Sequence, residues 1–221
     1  MAYLALQPHV GYALVDDRPV FLDIRRDRYF ALDGAAERGF LAARRSNGRI
    51  DPHAEPARRL IATGLFSFEP EPGPLPAPTI GRPERGLSGD LPLSRLRGAD
   101  LLSIWLLLAR ARRQVRAEPL EHVLELRRAR RVSNERKDAR DVEALCARFR
   151  RARALVPVRP TCLQDSLALR DWLAARDASA AIVFGVKLDP FAAHCWLQSG
   201  DTVLNDAPDK VREFTPILVV P

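Results

Sequence analysis

The sequence predicts an α+β protein with two domains and a linker between them. Three observations support this prediction: strand-like patterns early in the chain, a cluster of prolines before its middle, and helical patterns followed by strand-like patterns in its second half. The domains are expected at residues 1–68 and 96–221, with the linker at 69–95. A chain of 221 residues is long enough to form two hydrophobic cores.

The first domain is expected to combine a small antiparallel sheet with two helices. Aromatic and β-branched residues are concentrated in three short runs. The runs lie at residues 10–15, 19–24 and 28–32. Asp33 is well placed to cap a helix that the Asn47-Gly48 pair ends. Apolar residues at helical spacing predict a second helix near residues 57–65, with Gly64 at its end.

The predicted linker is rich in proline. Seven of the chain's 18 prolines fall between residues 69 and 98, several of them at alternate positions. Proline lacks a backbone N–H and restricts its own backbone, so this composition favours an extended, semi-rigid spacer over packed structure.

The second domain is expected to begin with helices and end with antiparallel strands. Three helical patterns cover residues 99–154, and a fourth helix begins at Cys162. Cys146 and His122 lie within the later patterns, and both are interpreted as structural. In the first pattern, four apolar residues are expected to share a face. They are Leu101, Ile104, Trp105 and Leu108. Strands are predicted at residues 180–188, 192–198 and 202–205.

The charge balance limits the partners that the chain is expected to have. Lysine and arginine exceed aspartate and glutamate by seven, and arginines between residues 110 and 151 supply most of the excess. A basic chain can associate with nucleic acid, an anionic membrane or an acidic peptide, but a solvated helix face is the more common origin of such a run. We therefore expect no nucleic-acid partner.

The cysteines and the short apolar segments predict a cytoplasmic protein. Cys146, Cys162 and Cys195 cannot all pair, and their spacing fits neither a disulfide framework nor a zinc site, so no metal is expected. The first residues lack the pattern of a secretory signal. The longest apolar run, residues 101–109, is far shorter than the roughly 20 residues of a membrane-spanning helix. No phosphate-binding loop is visible, and no cofactor is expected.

Cys162 is the candidate nucleophile because it is predicted to begin a helix. Pro160 disfavours helix in the residue before it, Thr161 can act as N-cap, and the apolar stripe starts at Leu163. Unsatisfied N–H groups and the positive end of the helix dipole stabilise a thiolate at such a position. The same N–H groups can stabilise the oxyanion of a tetrahedral intermediate.

His194 is the candidate base. It lies 32 residues after Cys162 in a predicted strand, where Trp196 shares its face and Cys195 lies on the opposite face. A nucleophilic cysteine requires a base within hydrogen-bonding distance. A helix-start cysteine followed by a strand histidine indicates a cysteine protease site of the papain and transglutaminase kind.

The residue that orients His194 depends on the register of the next turn. A three-residue loop at 199–201 would place Asp206 opposite His194, at the roughly 4.5–5.5 Å Cβ separation of cross-strand neighbours. A two-residue turn would instead leave Asn205 as the same-face alternative. The residues alone leave both registers open.

Three short segments of the second half carry a family resemblance. They are Pro160-Thr161-Cys162-Leu163 with Ser166-Leu167-Ala168-Leu169 following, Ala193-His194-Cys195-Trp196-Leu197, and Asn205-Asp206. Over nearly its whole length the chain resembles the leader-processing B proteins of lasso peptide biosynthesis, whose protease half has a transglutaminase-like, papain-like fold. The resemblance implies a catalytic triad of Cys162, His194 and Asp206, and so favours Asp206 over Asn205.

The first half carries a second resemblance, in the segment Arg28-Tyr29-Phe30-Ala31-Leu32-Asp33-Gly34 and the helix that follows. This segment is similar to the small, winged-helix-like peptide-recognition domains of modified-peptide pathways, which implies that a precursor's leader binds as an added strand. An exposed edge strand offers unpaired N–H and C=O groups to such a peptide. The candidate peptide-binding residues are Tyr29, Phe30, Leu32, Arg58 and Ile61.

Together the resemblances imply a leader peptidase. The first domain would hold the leader of a precursor peptide, the second would cut it from the core peptide, and a separate ATP-dependent cyclase would then close the macrolactam. Two alternatives remain. One is a nucleic-acid-binding winged-helix protein, and the other is a transglutaminase-like acyltransferase or amidase that acts on another substrate.

Overall fold

The computed structural model describes residues 2–87, 97–129 and 139–221, and the chain forms two compact units. Unit 1 is Met1–Pro78 and unit 2 is Thr79–Pro221. Both units combine helices with β-sheets, which confirms the predicted α+β class. The boundary between the units falls inside the predicted linker.

Within the described residues, unit 1 contains two three-stranded sheets and two helices. Its elements are β1 (Ala2–Leu6), β2 (Val10–Val15), β3 (Arg18–Asp23), β4 (Arg28–Ala31), α1 (Gly34–Arg45), β5 (Arg49–Ile50), α2 (Glu55–Ala62) and β6 (Phe66–Glu69). Strands β2, β3 and β4 form the antiparallel meander that the sequence predicts. The second sheet, β5-β1-β6, has no local signature because its partners, such as Leu4 and Phe68, are far apart in the chain. This architecture does not establish the winged-helix class expected for the unit.

The start and end of α1 are set by two residues that the sequence singles out. Asp33 is the N-cap, and its Oδ1 accepts the Ala36 N–H at 3.0 Å. After the helix ends, Gly48 adopts a φ of +82° and its carbonyl accepts the Leu4 N–H at 2.7 Å. A Cβ at Gly48 would lie 2.8 Å from the Leu4 carbonyl oxygen, so glycine allows β5 to approach β1.

Four aromatic residues form the centre of the unit 1 core. Phe40 of α1 packs edge-on against Tyr12 of β2 and Phe21 of β3, with ring centroids 5.2 and 5.0 Å apart. Phe66 of β6 lies 5.3 Å from Phe21. Edge-to-face pairs of this kind contribute roughly 0.5–1.5 kcal/mol each beyond the area they bury. The cluster therefore joins both sheets to α1.

Parts of the predicted linker are packed rather than extended as a spacer. Leu75 is buried in the unit 1 core, and its carbonyl accepts a hydrogen bond of 2.5 Å from Tyr12 Oη. Further along, β7 (Arg85–Gly86) joins the sheet of unit 2. A proline-rich chain still carries a carbonyl at every residue, so neighbouring donors can bind it. Residues 88–95 of the predicted linker lie outside the described part of the chain.

Unit 2 combines a five-stranded sheet with helices in its described residues. After β7 its elements are α3 (Gly98–Ala117), α4 (Leu120–Arg128), α5 (Ala139–Leu155), α6 (Cys162–Ala174), β8 (Ala181–Lys187), β9 (Ala192–Ser199), β10 (Thr202–Val203), α7 (Pro208–Val211) and β11 (Thr215–Val220). The strand order is β11-β8-β9-β10-β7. The sequence patterns do not predict α7 or β11. Pro216 interrupts the strand signal of β11, and the ladder shifts register beside it.

The predicted apolar face of α3 is wrong for one residue. Ile104, Leu108 and Ala111 are fully buried, but Trp105 is 46% exposed. Successive residues are about 100° apart around a helix, so a buried stripe centred on Ile104 and Leu108 turns Trp105 outward.

No helix in the described residues combines the length and the apolar composition needed to cross a membrane.

Helix α6 is the central helix of unit 2. It contacts α3, α5 and β9, and its Leu167, Trp172 and Leu173 are fully buried. Asp171 of α6 accepts a hydrogen bond of 2.6 Å from Arg127 of α4, and both side chains are almost completely buried. Because Cys162 begins α6, the packing of this helix also sets the position of the thiol.

Replacing Arg127 with Met should destabilise the protein by about 3–5 kcal/mol, because the buried Asp171 carboxylate loses its cation. Urea unfolding measures the change. Arg128→Met is the matched control, since Arg128 is the next residue of α4 and is exposed. Equal losses for the two substitutions would contradict the importance of the buried pair.

Candidate active site

Cys162 is the first residue of α6. Thr161 holds the N-cap position in an extended conformation, and its carbonyl accepts the Asp165 N–H at 3.0 Å. Thr161 therefore occupies the predicted N-cap position, but its side chain makes no capping hydrogen bond to the described first turn. The first-turn N–H groups are not taken up by a side-chain cap, and Cys162 is exposed at the positive end of the helix.

His194 of β9 is near enough to this thiol to be the largest cause of the shift in its pKa, and the thiol is likewise the largest cause of the shift in the pKa of His194. In the sheet, His194 pairs with Gly185 of β8. A Cβ at Gly185 would lie 2.7 Å from the Trp196 ring and 2.9 Å from Phe214 Cβ, so the position requires glycine. Both rings flank the imidazole, with centroids 6.1 Å away for Trp196 and 5.3 Å away for Phe214. Gly185 thus allows the apolar packing that orients the base.

Asp206 contacts His194 although the two residues are not opposite each other in the strand ladder. The hairpin has a two-residue turn, since Ser199 pairs with Thr202, and β10 ends at Val203. The register that would place Asp206 directly opposite His194 is therefore wrong. The chain instead leaves β10 and turns towards α7, which brings Asp206 Oδ2 to 2.6 Å from His194 Nε2. A carboxylate only accepts, so Nε2 carries the proton and the other ring nitrogen remains for the thiol proton.

Asn205, the alternative orienting residue, has a different role. Its Oδ1 accepts the Leu197 N–H at 2.7 Å, and its Nδ2 donates to Ser166 Oγ at 2.8 Å. Ser166 is fully buried, and its hydroxyl donates to the Cys195 carbonyl at 3.4 Å. These bonds join β9 to α6 about one helical turn after Cys162. No pattern in the sequence indicates this bridge.

The thiol and the imidazole change each other's proton affinity. The hydrogen bond with His194 lowers the pKa of Cys162 from its usual value, although burial acts in the opposite direction. The N–H groups of Cys195 and Leu163 also lower this pKa. The hydrogen bond with Cys162 raises the pKa of His194, and the bond with Asp206 raises it further. Both shifts favour a pair of thiolate and imidazolium, the form that attacks a carbonyl.

Asp206 stays ionised beside His194. Burial alone would raise the pKa of Asp206, but hydrogen bonds from Lys210, the Ala207 N–H and His194 hold the pKa below its usual value. Lys210 Nζ lies 2.8 Å from the Oδ2 atom that His194 also contacts. Sequence reasoning missed Lys210. The signal that could have found it is the four-residue spacing from Asp206, which places the two on one side of a helical turn.

The other two cysteines have no thiolate character. Burial raises the pKa of Cys146 to about 12, and burial likewise raises the pKa of Cys195. Cys146 is packed in α5 as expected of a structural residue. His122, also interpreted as structural, is exposed on α4 with Glu118 at 3.7 Å. Neither cysteine competes with Cys162 as a nucleophile.

A cavity of about 590 Å³ lies at the opposite end of β9 from His194, beside Gln198 and Asp201. None of the three candidate residues lines this cavity, so the cavity is separate from the candidate active site. In the described residues, no three His, Cys, Asp or Glu side chains are grouped so as to hold a metal ion.

The candidate site belongs to a known family of folds. The model of the transglutaminase-like superfamily matches residues 104–219, a little over half of the chain, and this range contains Cys162, His194 and Asp206. The chain belongs to the transglutaminase-like superfamily. No solved structure matches it.

The chain is also similar to a peptide-processing protein. Over 48 residues the chain is 44% identical to the microcin J25-processing protein McjB of Escherichia coli. This match confirms the resemblance to lasso peptide processing proteins that the sequence motifs indicate. It spans 22% of this chain and 23% of the length of that relative.

The candidate peptide-binding residues lie outside the superfamily match, on β4, directly after β4 and on α2 of unit 1. Among the described strands β4 pairs with β3 alone, so its other edge is open. Phe30, Leu32 and Ile61 are half-buried against the unit 1 core, and Arg58 is exposed on α2. Tyr29 precedes Phe30 in β4 and points to the opposite face of the sheet. Three of the five residues, Phe30, Leu32 and Ile61, therefore pack against the same core, and Tyr29 lies on the other face of its strand.

Replacing His194 with Ala should slow alkylation of Cys162 by iodoacetamide at least about tenfold near pH 6.5, and should move the alkylation profile to higher pH. The reason is that the substitution removes the largest cause of the lowered thiol pKa. Peptide mass spectrometry of the labelled protein gives the rates. His122→Ala is the matched control, since His122 is exposed on α4. An unchanged profile for His194→Ala would show that the imidazole does not act on the thiol.

Proposed function

We propose that this protein is the leader peptidase of a lasso peptide pathway, which binds the leader of a precursor peptide and cleaves it from the core peptide. The arrangement of Cys162, His194 and Asp206 carries the proposal, since the thiol is exposed at the start of a helix, His194 lowers its pKa and Asp206 is hydrogen-bonded to His194. Membership of the transglutaminase-like superfamily supports an enzyme, and the match to a peptide-processing protein supports this substrate class.

The first half of the reaction forms a thioester. The Cys162 thiolate attacks the scissile carbonyl carbon, and the first-turn N–H groups of α6 stabilise the oxyanion. The His194 imidazolium then gives its proton to the leaving amine as the C–N bond breaks. Asp206 holds the ring in position and stabilises its positive charge.

The second half of the reaction releases the leader. His194, now neutral, takes a proton from a water molecule that attacks the thioester carbonyl. The C–S bond breaks, and the pair of thiolate and imidazolium forms again. Water as the acceptor makes the enzyme a peptidase, whereas an amine acceptor would make it an acyltransferase.

Unit 1 is proposed to bind the leader as an added strand along the open edge of β4. Backbone hydrogen bonds would supply affinity, and the apolar surface formed by Phe30, Leu32 and Ile61 would accept leader side chains. Arg58 would contact the peptide beside this surface, and Tyr29 would contact it from the other face of the strand. Binding in unit 1 raises the effective concentration of the cleavage site at Cys162.

The partner expected downstream is a separate macrolactam-forming cyclase that uses ATP. Hydrolysis of a peptide bond proceeds without a nucleotide. Joining the freed amine to a side-chain carboxylate, in contrast, requires that carboxylate to be activated first. The nucleotide requirement therefore belongs to the cyclase, and we propose that the two proteins act in sequence in the cytoplasm.

Replacing Cys162 with Ala should abolish cleavage of a precursor peptide while leader binding is retained, because only the nucleophile is lost. The purified protein is mixed with the precursor and product masses are measured, with leader affinity measured separately by fluorescence anisotropy. Cys146→Ala should still cleave, since its buried thiol has a pKa of about 12. Cleavage by Cys162→Ala would exclude the proposed mechanism, and a product mass increased by an amine would favour the acyltransferase.

Replacing Ile61 with Ala should weaken leader binding by roughly tenfold, since the substitution removes apolar contact area from the proposed binding surface. Anisotropy with a labelled leader measures the affinity. Ile50→Ala is the matched control, because Ile50 is also half-buried against the unit 1 core but lies on β5. Equal loss of affinity for both variants would indicate damage to the core rather than a binding surface.

A further inference from the structure

A lysine and a histidine contact one oxygen of Asp206. His194 Nε2 lies 2.6 Å from Oδ2, and Lys210 Nζ lies 2.8 Å from the same atom. The second oxygen, Oδ1, accepts the Ala207 N–H at 2.9 Å. The orientation of the carboxylate is therefore set by three donors, of which one is the candidate base.

The position of Lys210 follows from a short helix that is anchored in the core of unit 2. Pro208 begins α7, and Val211 at its end is fully buried in a core cluster that also contains Trp196 and Val183. Lys210 projects from this turn with 54% of its side chain exposed. An exposed ion pair of this kind ordinarily contributes little to stability. This ion pair, however, involves the same Asp206 oxygen that contacts His194, so it can affect the imidazole rather than the stability of the fold.

We propose that Lys210 is a positioning residue of the Cys162, His194 and Asp206 triad. By sharing Oδ2 with His194, Lys210 weakens the attraction of the Asp206 carboxylate for the imidazolium. This inference rests on the proposed function, which assigns His194 as the base. The consequence is an imidazolium that gives up its proton to the leaving amine more readily than it would beside an unshared carboxylate.

The charges near His194 on other elements are engaged differently. On its own strand, Cys195 is buried and stays a neutral thiol because burial raises its pKa. On α6, Cys162 is the partner in the reactive pair, and Asp165 accepts a hydrogen bond of 2.8 Å from Arg153.

Among the described residues, Lys187 of β8 is a second lysine close to the aromatic surroundings of His194. Its Nζ lies 2.5 Å from Glu213 Oε2 and 5.2 Å from the centre of the Phe214 ring. Its charge is therefore balanced by a carboxylate that the triad does not use. Among the charges of unit 2, it is a matched comparison for Lys210.

The test compares two alkylating reagents and needs no peptide substrate. Iodoacetate is an anion that the imidazolium attracts, whereas iodoacetamide is neutral, so the ratio of their rates with Cys162 falls when His194 loses its proton. The ratio is measured against pH for the intact protein and its variants, with the label assigned to Cys162 by mass spectrometry. The midpoint of the fall reports His194, whereas the level of the ratio also reflects overall charge.

In Lys210→Met the midpoint should move upward by roughly half a pH unit, because the imidazolium then has the carboxylate oxygen to itself. Lys210→Arg should restore the wild-type midpoint, and Lys187→Met should leave it in place. An unchanged midpoint in Lys210→Met, or an equal shift in Lys187→Met, would overturn the proposal. Failure of the protein to cut a precursor would refute the peptidase function but would leave this measurement intact.

Discussion

The contact between the first turns of α6 and strand β9 controls the geometry of the candidate site. Cys162 is carried by the helix and His194 by the strand, so their hydrogen bond depends on how the two elements are held together. Asn205 supplies that connection through the Leu197 N–H and the buried Ser166 hydroxyl. A buried donor or acceptor that lost its partner here would carry the full cost of its desolvation. The bridge therefore resists displacement of the helix along the strand.

The surroundings of the triad hold its charges in fixed positions before a substrate arrives. The absence of a side chain at Gly185 lets Trp196 and Phe214 pack beside the imidazole. The carboxylate of Asp206 is held by the Ala207 N–H and by Lys210 as well as by His194. Groups that are already oriented need no reorganisation during the reaction, which is the main source of electrostatic stabilisation in enzymes. The charge distribution of the candidate site thus depends on residues outside the three candidate side chains.

The two units contribute different kinds of surface. Unit 2 presents an exposed thiol at the start of a helix whose later turns are buried among α3, α5 and the sheet. Unit 1 presents the backbone of a strand whose outer edge is open among the described residues, with half-buried apolar side chains beside it. A strand edge binds extended peptides with little dependence on their side chains, and the neighbouring pockets add selectivity. A peptide-processing enzyme needs both properties.

Local sequence patterns determined much of this protein. The meander of unit 1, the helices α3 to α6 of unit 2, the cap at Asp33 and the helix start at Cys162 all follow from propensities that act over a few residues. The choice of His194 required only the alternation of a strand. The family resemblance, rather than the register, favoured Asp206, because a hairpin of either loop length fits the same residues.

Tertiary structure alone decided the rest. The sheet β5-β1-β6 and the burial of Leu75 join segments that are distant in the chain, so no local pattern announces them. The outward turn of Trp105 reflects which side of α3 meets its neighbours. Asp206 and Lys210 meet at His194 because the chain leaves the ladder after Val203 and turns into α7. The sequence determines which side chains are chemically suited to the site, but their convergence depends on packing between elements, which acts over distances that no local periodicity records.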